Sequence, residues 1–401
     1  MAITGFKASA YRWLVLSAFM LVTFINQAAW ITFAPITSEA ARYFGTSDLV
    51  IGLLSMVFMI VYVLLAIPAA WLIDGRGFRL AVSVGALLTA AGALARGAFS
   101  NNFALVFAAQ VGIAVGQPLI LGSITKLAAR WFPAGERATA AGLGTLSIYL
   151  GILAAMIVTP VLVLRDSLRG MLLAYGYAAV GAAVLFLAAA REHPPARAGM
   201  PGSEERLPMF AGLRAMLKNR DFILLLVIFF IGLGLFNGVT TWIEAIVRPR
   251  GFGAAQAGLL GGAMLIGGII GAVIVPLISD GLRRRKPFVI LALFGLLPGL
   301  AGVCFATSYW LLLASGFWFG FFLLSAGPVG FQYGAELTQP APEGTSNSLL
   351  VLMGQISGIA FIFAMEAAGA MTGSLIGLMI LTAAAAILAC LLRESPVHGP
   401  Q

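Results

Sequence analysis

The stretch Asp74-Gly75-Arg76-Gly77-Phe78-Arg79 is the strongest indication of the fold, because a similar stretch recurs later in the chain. The second stretch, Asp280-Gly281-Leu282-Arg283-Arg284-Arg285, begins 206 residues later, and each of the two lies between two long apolar segments. A second pair, Pro133-Ala134-Gly135-Glu136 and Pro340-Ala341-Pro342-Glu343, recurs at a displacement of 207 residues. Two displacements that agree within one residue predict two similar halves with the same succession of elements.

The segments around these motifs are too apolar for a water-soluble protein. Of the 401 residues, 61% are hydrophobic and only 10% are charged, whereas about 25% of the residues of an ordinary soluble domain are charged. This composition excludes a disordered chain, a nucleic-acid-binding domain and a small disulfide scaffold. It predicts a polytopic membrane protein whose surroundings are the lipid bilayer.

Charges, prolines and glycines divide the chain into twelve segments, each close to the roughly 20 apolar residues that a membrane span needs. One connection is long and polar. We therefore expect an all-α membrane protein with twelve transmembrane helices in two pseudo-symmetric six-helix halves, residues 1–190 and 221–401, joined by a cytoplasmic linker at residues 191–220. The predicted spans are Trp13–Ile36, Leu49–Ile73, Leu80–Gly97, Phe103–Leu127, Ala138–Leu164, Met171–Ala190, Phe222–Val247, Ala257–Ser279, Phe288–Thr307, Trp310–Gln332, Asn347–Ala367 and Leu375–Leu392.

The basic residues orient these spans. If both termini are cytoplasmic, 18 of the 24 Lys and Arg residues fall on the inner side, as the positive-inside rule requires. We therefore expect a multi-pass protein of the cell inner (plasma) membrane, and the net charge of +9 indicates orientation rather than nucleic-acid binding. The six outer residues are Arg42, Arg96, Arg165, Arg169, Arg248 and Arg250.

Residues typical of enzymes and metal sites are scarce. Cys304 and Cys390 lie in apolar runs, where packing is their expected role. His193 and His398 lie outside the spans, and the sequence has no zinc signature, catalytic triad or phosphate-binding GxxxxGK loop. We expect no catalytic residue, no metal and no cofactor, and hence neither an enzyme nor an ATP-driven pump.

Two six-span halves with matching cytoplasmic loops resemble the major facilitator superfamily over the whole chain. The resemblance implies the major facilitator fold, a small-molecule substrate bound near the midplane, and alternating access by two halves that rock around it. We expect the protein to act as a monomer.

Several stretches resemble one family more closely, the feline leukaemia virus subgroup C receptor-related transporters. They are Leu54-Ser55-Met56-Val57-Phe58-Met59 with Ile67-Pro68-Ala69-Ala70-Trp71 in span two, Gly116-Gln117 in span four and Gly354-Gln355-Ile356-Ser357-Gly358 in span eleven. Animal members carry choline and ethanolamine, with proposed roles for haem, and a related branch carries a B vitamin. The resemblance implies a pocket of Trp30, Gln117 and Gln355. Where the family has a pocket tyrosine in span seven, this chain has Thr241 followed by Trp242.

Polar side chains inside the spans indicate the same region without the resemblance, because such residues are costly in hydrocarbon unless they face a cavity or a neighbouring helix. The alternative, that an amide merely joins two helices, is strongest for Gln27 and Gln110. The candidate substrate-binding residues are Trp30, Gln117, Gln355, Asn26, Asn237, Thr241 and Trp242.

Charged residues at the ends of spans are candidates for gating. Asp74, Arg76 and Arg79, with Asp280 and Arg283 in the second half, are expected to bond neighbouring helix ends when the cytoplasmic side is closed; the alternative is that these arginines only obey the positive-inside rule. Glu244 and Glu366 lie near the outer ends of their spans, as gate or rim residues.

The midplane lacks Asp, Glu, Lys, Arg and His, which favours a facilitative uniporter over proton coupling. Aromatic rings and amides suit an organic cation through cation–π contact, so the best expectation is a choline- or ethanolamine-like amine. The alternatives are uptake of a neutral heteroaromatic vitamin, riboflavin- or pyridoxine-like, and export of haem or drugs. A sensor built on a carrier fold would need a larger soluble segment than the sequence has.

Overall fold

A computed structural model describes residues 2–193, 216–339 and 343–395. In these ranges the secondary structure consists of α-helices and two short 3-10 helices. Twelve helical stretches of the described residues are long and apolar enough to cross a membrane. The expected all-α fold with twelve spans is confirmed, and the pattern of interrupted apolar runs was sufficient to predict it.

Contacts between residues divide the chain into two compact units, Met1–Gly202 and Ser203–Gln401. Most of the predicted linker, from residue 194 to residue 215, lies outside the described residues. The helices of the first unit, called here the N-terminal half, are α1 (Ala2–Ile31), α2 (Thr37–Phe44), α3 (Asp48–Arg76), α4 (Phe78–Ala98), α5 (Phe103–Leu121), α6 (Ile124–Trp131), α7 (Ala134–Arg165) and α8 (Leu168–Ala189).

The second unit, called here the C-terminal half, repeats this succession of long helices. Its helices are α9 (Arg220–Thr241), α10 (Ile243–Val247), α11 (Ala254–Leu282), α12 (Lys286–Phe305), α13 (Tyr309–Leu337), α14 (Glu343–Ala367) and α15 (Met371–Cys390).

Three of the predicted spans are interrupted. Helix α1 ends at Ile31, and a 3-10 turn at Ala34–Ile36 leads into α2. Pro35 accounts for this end, because it has no N–H to donate to the Ile31 carbonyl. The fourth span divides into α5 and α6 after Pro118, and the seventh divides at Trp242 between α9 and α10. Hydropathy alone does not reveal these breaks, because apolar residues continue through them.

The ends of the other helices follow local rules. The Ser47 and Asn102 side chains accept hydrogen bonds from the backbone N–H groups of Val50 and Leu105, which caps the first turns of α3 and α5. At the other end of α3, Gly77 has a φ of +95°. A glycine adopts this φ without strain, and α4 therefore follows α3 after a single residue.

Close packing in the C-terminal half depends on glycines in α11 and α13. A Cβ atom at Gly267 or Gly271 would collide with the carbonyl oxygen of Phe317 or Phe321, and one at Gly320 would collide with the Met264 carbonyl. Small residues at this spacing allow two membrane helices to approach backbone to backbone. They make α11 and α13 one tightly packed pair.

Candidate functional site

In the N-terminal half, Trp30 lies one residue before the end of α1. Only 6% of its side chain is exposed, and its indole N–H donates to the Ser55 carbonyl of α3 at 3.1 Å. Four residues earlier, Asn26 Nδ2 donates to Thr89 Oγ1 at 3.0 Å, and Gln27 donates to the Asn26 side chain. The polar face predicted for span one therefore joins α1 to α3 and α4, and Trp30 has only its ring left for a ligand.

The two glutamines of α5 have different surroundings although they lie seven residues apart. The Gln110 side chain accepts from Arg96 at 2.8 Å and donates to the carbonyls of Ala29 and Leu54. This is the helix-joining role that was the alternative for Gln110. Gln117, 5% exposed, lies at the midpoint of the fourth span, Phe103–Trp131, and its amide forms no hydrogen bond within the described residues.

Arg96, one of the six arginines expected on the outer side, is buried rather than exposed in a loop. It is 0% exposed and lies within the last turn of α4. Its guanidinium donates to the Ala29 carbonyl at 3.0 Å and lies over the Phe33 ring.

The C-terminal half contains the other predicted ligands. Gln355 is half-buried at the middle of α14, and its amide, like that of Gln117, forms no hydrogen bond among the described residues. Asn237 Nδ2 donates to the Gly354 carbonyl at 3.2 Å, directly beside Gln355 in the chain. The structure thus places Asn237 of α9 against the backbone of α14 next to Gln355.

Thr241 and Trp242 lie where α9 breaks. The Trp242 ring is 0% exposed, and its indole N–H donates to the Ile362 carbonyl at 3.0 Å. In this conformation the ring is enclosed by protein. The hydroxyls of Thr240 and Thr241 are buried and have no hydrogen-bond partner among the described residues.

Two tyrosines were missed by the sequence reasoning. Tyr62 and Tyr149 lie at the middles of α3 and α7, are half-buried, and have no hydroxyl partner within the described part of the chain. Tyr62 is seven residues from Ser55, which binds Trp30, and therefore lies on the same stripe of α3. A tyrosine far from the membrane interface was the available signal, since tyrosines in membrane proteins concentrate at the interface.

The predicted gating residues of the N-terminal half lie at the end of α3 and the start of α4. Asp74 forms an ion pair with Lys126 of α6 at 3.3 Å. The side chains of Arg76 and Arg79 are exposed, but the backbone N–H of Arg79 donates to the Glu192 carboxylate at 2.8 Å. Glu192 also forms an ion pair with Arg130.

In the C-terminal half the paired arginine is Arg285. It binds Asp280 and also Glu336 of α13, the latter at 3.1 Å. Burial lowers the pKa of Arg285, but its hydrogen bonds with Glu336 and Asp280 outweigh burial and raise that pKa above its ordinary value. The predicted gating residue Arg283 is instead exposed at a left-handed φ of 51°, capping the end of α11.

Both halves end in the same contact, which the sequence comparison overlooked because its displacement is 202 residues. Glu192 caps the start of α4, and Glu394 accepts from the N–H groups of Arg285 and Lys286 at the start of α12. The preceding carbonyls, of Arg191 and Arg393, accept from Trp131 and Tyr333. We call this contact the clasp. Its sequence signal is Arg191-Glu192-His193-Pro194 repeated as Arg393-Glu394-Ser395-Pro396.

Near the opposite ends of the helices, Glu244 is buried and lies 3.6 Å from Arg248, while Glu366 is half-buried. Arg250 donates to the Ala306 and Ile246 carbonyls. Burial lowers the pKa of Arg250 below its ordinary value, and the opposite effect of the nearby Cys304 is smaller. Among the described residues no three His, Cys, Asp or Glu side chains lie close enough together to hold a metal ion.

Comparison with known proteins agrees with this architecture. The model of the Major Facilitator Superfamily matches residues 19–362. Solute carrier family 49 member A3 of Xenopus tropicalis is 31% identical over 377 residues, which cover 89% of this chain and 77% of that protein. The choline/ethanolamine transporter FLVCR2 of Homo sapiens is 29% identical over 375 residues, covering 88% of this chain and 71% of that protein.

A solved structure shows the same fold. The crystal structure of a bacterial homologue of the human lysosomal transporter Spinster, in an inward-facing and unoccupied conformation, matches with a TM-score of 0.78 at 16% identity. The match covers 95% of this chain and 97% of that one. The resemblance seen in the sequence is confirmed: the chain belongs to the Major Facilitator Superfamily, as a membrane transporter related to the choline/ethanolamine transporters, and is not an enzyme.

Proposed function

We propose that this transporter is a facilitative uniporter that works by alternating access and carries a small choline- or ethanolamine-like amine. The observation that carries the proposal is the pair of unengaged amides, Gln117 and Gln355, each at the middle of its span. An amide left without a partner at this depth is costly unless a ligand or water binds it.

The amine is favoured by the chemistry of these side chains and by the relatives. The Trp30 indole N–H is already bonded to the Ser55 carbonyl, so the face of the ring is the part of the side chain that can contact a cation. The human relative is named a choline/ethanolamine transporter, and we extend that substrate class to this chain. Trp30, Gln117 and Gln355 are the proposed ligands. We keep Asn26, Asn237, Thr241 and Trp242 as further members of the site.

Uniport is supported by the positions of the buried charges. The buried charged side chains of the described residues are Arg96, Glu244, Arg285 and Glu336, and each lies at or next to the end of a helix. A carrier driven by protons generally needs an ionisable group along its pathway. We also propose that the protein acts as a monomer in the cell inner membrane, with both termini and the linker in the cytoplasm.

A second candidate is a neutral heteroaromatic vitamin, riboflavin- or pyridoxine-like. Position 241 carries no aromatic ring, and the ring of Trp242 is enclosed. The site then offers fewer π faces to a cation than the pocket that the family resemblance implies. Stacking on Trp30 and hydrogen bonds to two amides would still bind a flat neutral ring.

Uptake of labelled choline into proteoliposomes tests the proposal. We expect uptake down a choline gradient without sodium and with a protonophore present, and its loss in Trp30→Ala. Gln117→Leu should raise KM by about threefold to tenfold, the equivalent of one hydrogen bond to the choline hydroxyl, with an unchanged unfolding temperature. The matched change Gln110→Leu should instead lower stability by about 1–3 kcal/mol, because Arg96 loses a buried partner.

The same vesicles separate the candidate substrates. Competition by unlabelled choline alone supports the amine, whereas competition by riboflavin or pyridoxine supports the vitamin. Normal choline uptake by Trp30→Ala would place the substrate site elsewhere. A thermal-shift screen that includes porphyrins and drugs would identify an exporter's ligand, since a ligand that binds only the folded carrier stabilises it.

A further inference from the structure

Arg96 is a fully buried cation for which the proposed transport cycle gives no role. Its guanidinium makes two hydrogen bonds, to the Ala29 carbonyl and to Gln110 Oε1, and it lies 5.8 Å from the centroid of the Phe33 ring. Its Nε and Nη2 atoms have no hydrogen-bond partner, and it forms no ion pair within the described part of the chain. An unneutralised buried charge costs several kcal/mol, so a benefit elsewhere must offset it.

That benefit lies at the break in α1. Because α1 ends at Ile31, the carbonyls of its last turn have lost their intrahelical partners. The Thr32 hydroxyl donates to the Ala28 carbonyl at 2.7 Å, while Arg96 and Gln110 both donate to the Ala29 carbonyl. A cation at a helix C-terminus is also stabilised by the helix dipole. Arg96 therefore caps an interrupted helix inside the membrane span.

The cap is connected to Trp30 by two short routes. Ala29 precedes Trp30 in the chain, so holding the Ala29 carbonyl fixes the backbone from which the indole projects. Gln110 also donates to the Leu54 carbonyl, and the indole donates to the next carbonyl of α3, that of Ser55. Arg96, Gln110 and the indole thus tie the last turn of α1 to α3, α4 and α5 together.

We propose that Arg96 is a positioning residue: through the Ala29 carbonyl and Gln110 it holds the Trp30 ring in the orientation that binds substrate. The position suits a planar guanidinium, because one nitrogen, Nη1, donates to both the Ala29 carbonyl and Gln110 Oε1 while the plane of the group lies over the Phe33 ring. A lysine keeps the charge but lacks that fixed geometry. The proposal rests on the proposed function only where it concerns substrate affinity.

Fluorine NMR of the purified protein labelled with 5-fluorotryptophan tests the positioning directly. The seven tryptophans give resolved probes, and Trp30→Phe assigns the Trp30 resonance. We expect Arg96→Met to shift or broaden that resonance, Arg96→Lys to do so partly, and the resonances of Trp310 and Trp318 to stay in place. Two controls accompany them: Arg165→Met removes an exposed charge, and Tyr11→Phe removes a hydrogen bond to Ala189 at the other end of α1.

Transport kinetics provide the second test of the positioning role. With a confirmed substrate, Arg96→Met should raise KM about threefold to tenfold while kcat changes less, the equivalent of one loosened cation–π contact, and Arg96→Lys should recover part of the loss. Tyr11→Phe should lower the unfolding temperature without changing KM. If Arg96→Met fails to fold, Arg96→Lys carries both measurements.

The outcomes are distinct. An unmoved Trp30 resonance in a folded Arg96 variant overturns the positioning role, and so does a moved resonance with an unchanged KM. If the wild-type protein transports neither amine nor vitamin, the proposed function is wrong. The fluorine spectra would still show whether Arg96 holds Trp30 in its orientation.

Discussion

Residue type alone does not show whether a glutamine inside a membrane span binds substrate or joins two helices by hydrogen bonds. Gln110 and Gln117 lie on one stripe of α5, and their residue type and spacing are consistent with both roles. Their neighbours decide: Gln110 finds a guanidinium and two carbonyls, whereas Gln117 finds no partner among the described residues. Long-range contacts of this kind are absent from a sequence read locally.

The positive φ at the residue that follows the second span of each half gives a prediction at this scale. Gly77 has a φ of +95°, and a Cβ there would overlap the Glu192 carboxylate. Gly77→Ala should lower the free energy of unfolding by at least about 1–2 kcal/mol. At the corresponding position of the other half, Arg283 adopts φ 51°, so Arg283→Gly should raise stability by about 0.5–1 kcal/mol.

Thermal unfolding in detergent, followed by tryptophan fluorescence, measures both changes. Gly75→Ala is the matched control, because nothing lies within 4 Å of a Cβ at that glycine. Equal effects of the three substitutions would contradict the assignment of strain to positions 77 and 283.

At the scale of elements, the sequence predicts which segments cross the membrane but not where they break. The length of each predicted apolar run follows from the thickness of the hydrocarbon core, and the described residues contain twelve helical stretches of that length. The end of α1 at Ile31 leaves the hydropathy unchanged. Pro35 is a visible signal for it, whereas the break at Trp242 has no proline beside it.

The α11–α13 pair yields a prediction for packing. A methyl group at Gly267 would collide with the Phe317 carbonyl, and backbone cannot move aside as a side chain can. Gly267→Ala should therefore destabilise the protein by about 1–3 kcal/mol. Gly377→Ala in α15, where nothing lies within 4 Å, should be neutral or stabilising by up to about 1 kcal/mol. Unfolding temperatures of the two variants compare them, and a stable Gly267→Ala protein would contradict the close approach.

At the scale of the whole molecule, internal repetition is the strongest sequence signal, but the displacements of 206 and 207 residues do not reveal every repeated contact. The 206-residue spacing relates the two Asp-Gly motifs, while the clasp repeats at 202 because the second half is four residues shorter between them. The sequence predicted that Asp74 and Asp280 bond neighbouring helix ends but did not identify their partners. Their partners, Lys126 and Arg285, are fixed by contacts between distant segments.

Removing the clasp should weaken each half by a similar amount. Glu192→Ala leaves Arg130 without its ion pair and the start of α4 without its cap; Glu394→Ala removes the acceptor at the start of α12. We expect each to cost about 1–3 kcal/mol. Asp166→Ala, an exposed acidic residue, serves as the control. Unfolding curves that are unchanged in both glutamate variants would show that the clasp contributes no stability.

The clasp also has a consequence for biosynthesis. Ribosomes extend a chain from its N-terminus, and Glu192 follows every helix of the N-terminal half. The start of α4 and the Arg130 side chain therefore cannot bind Glu192 until the last helix of that half has been synthesised. The clasp of the N-terminal half involves no residue of α9. Each half therefore carries, near its own C-terminal end, the glutamate that completes its clasp.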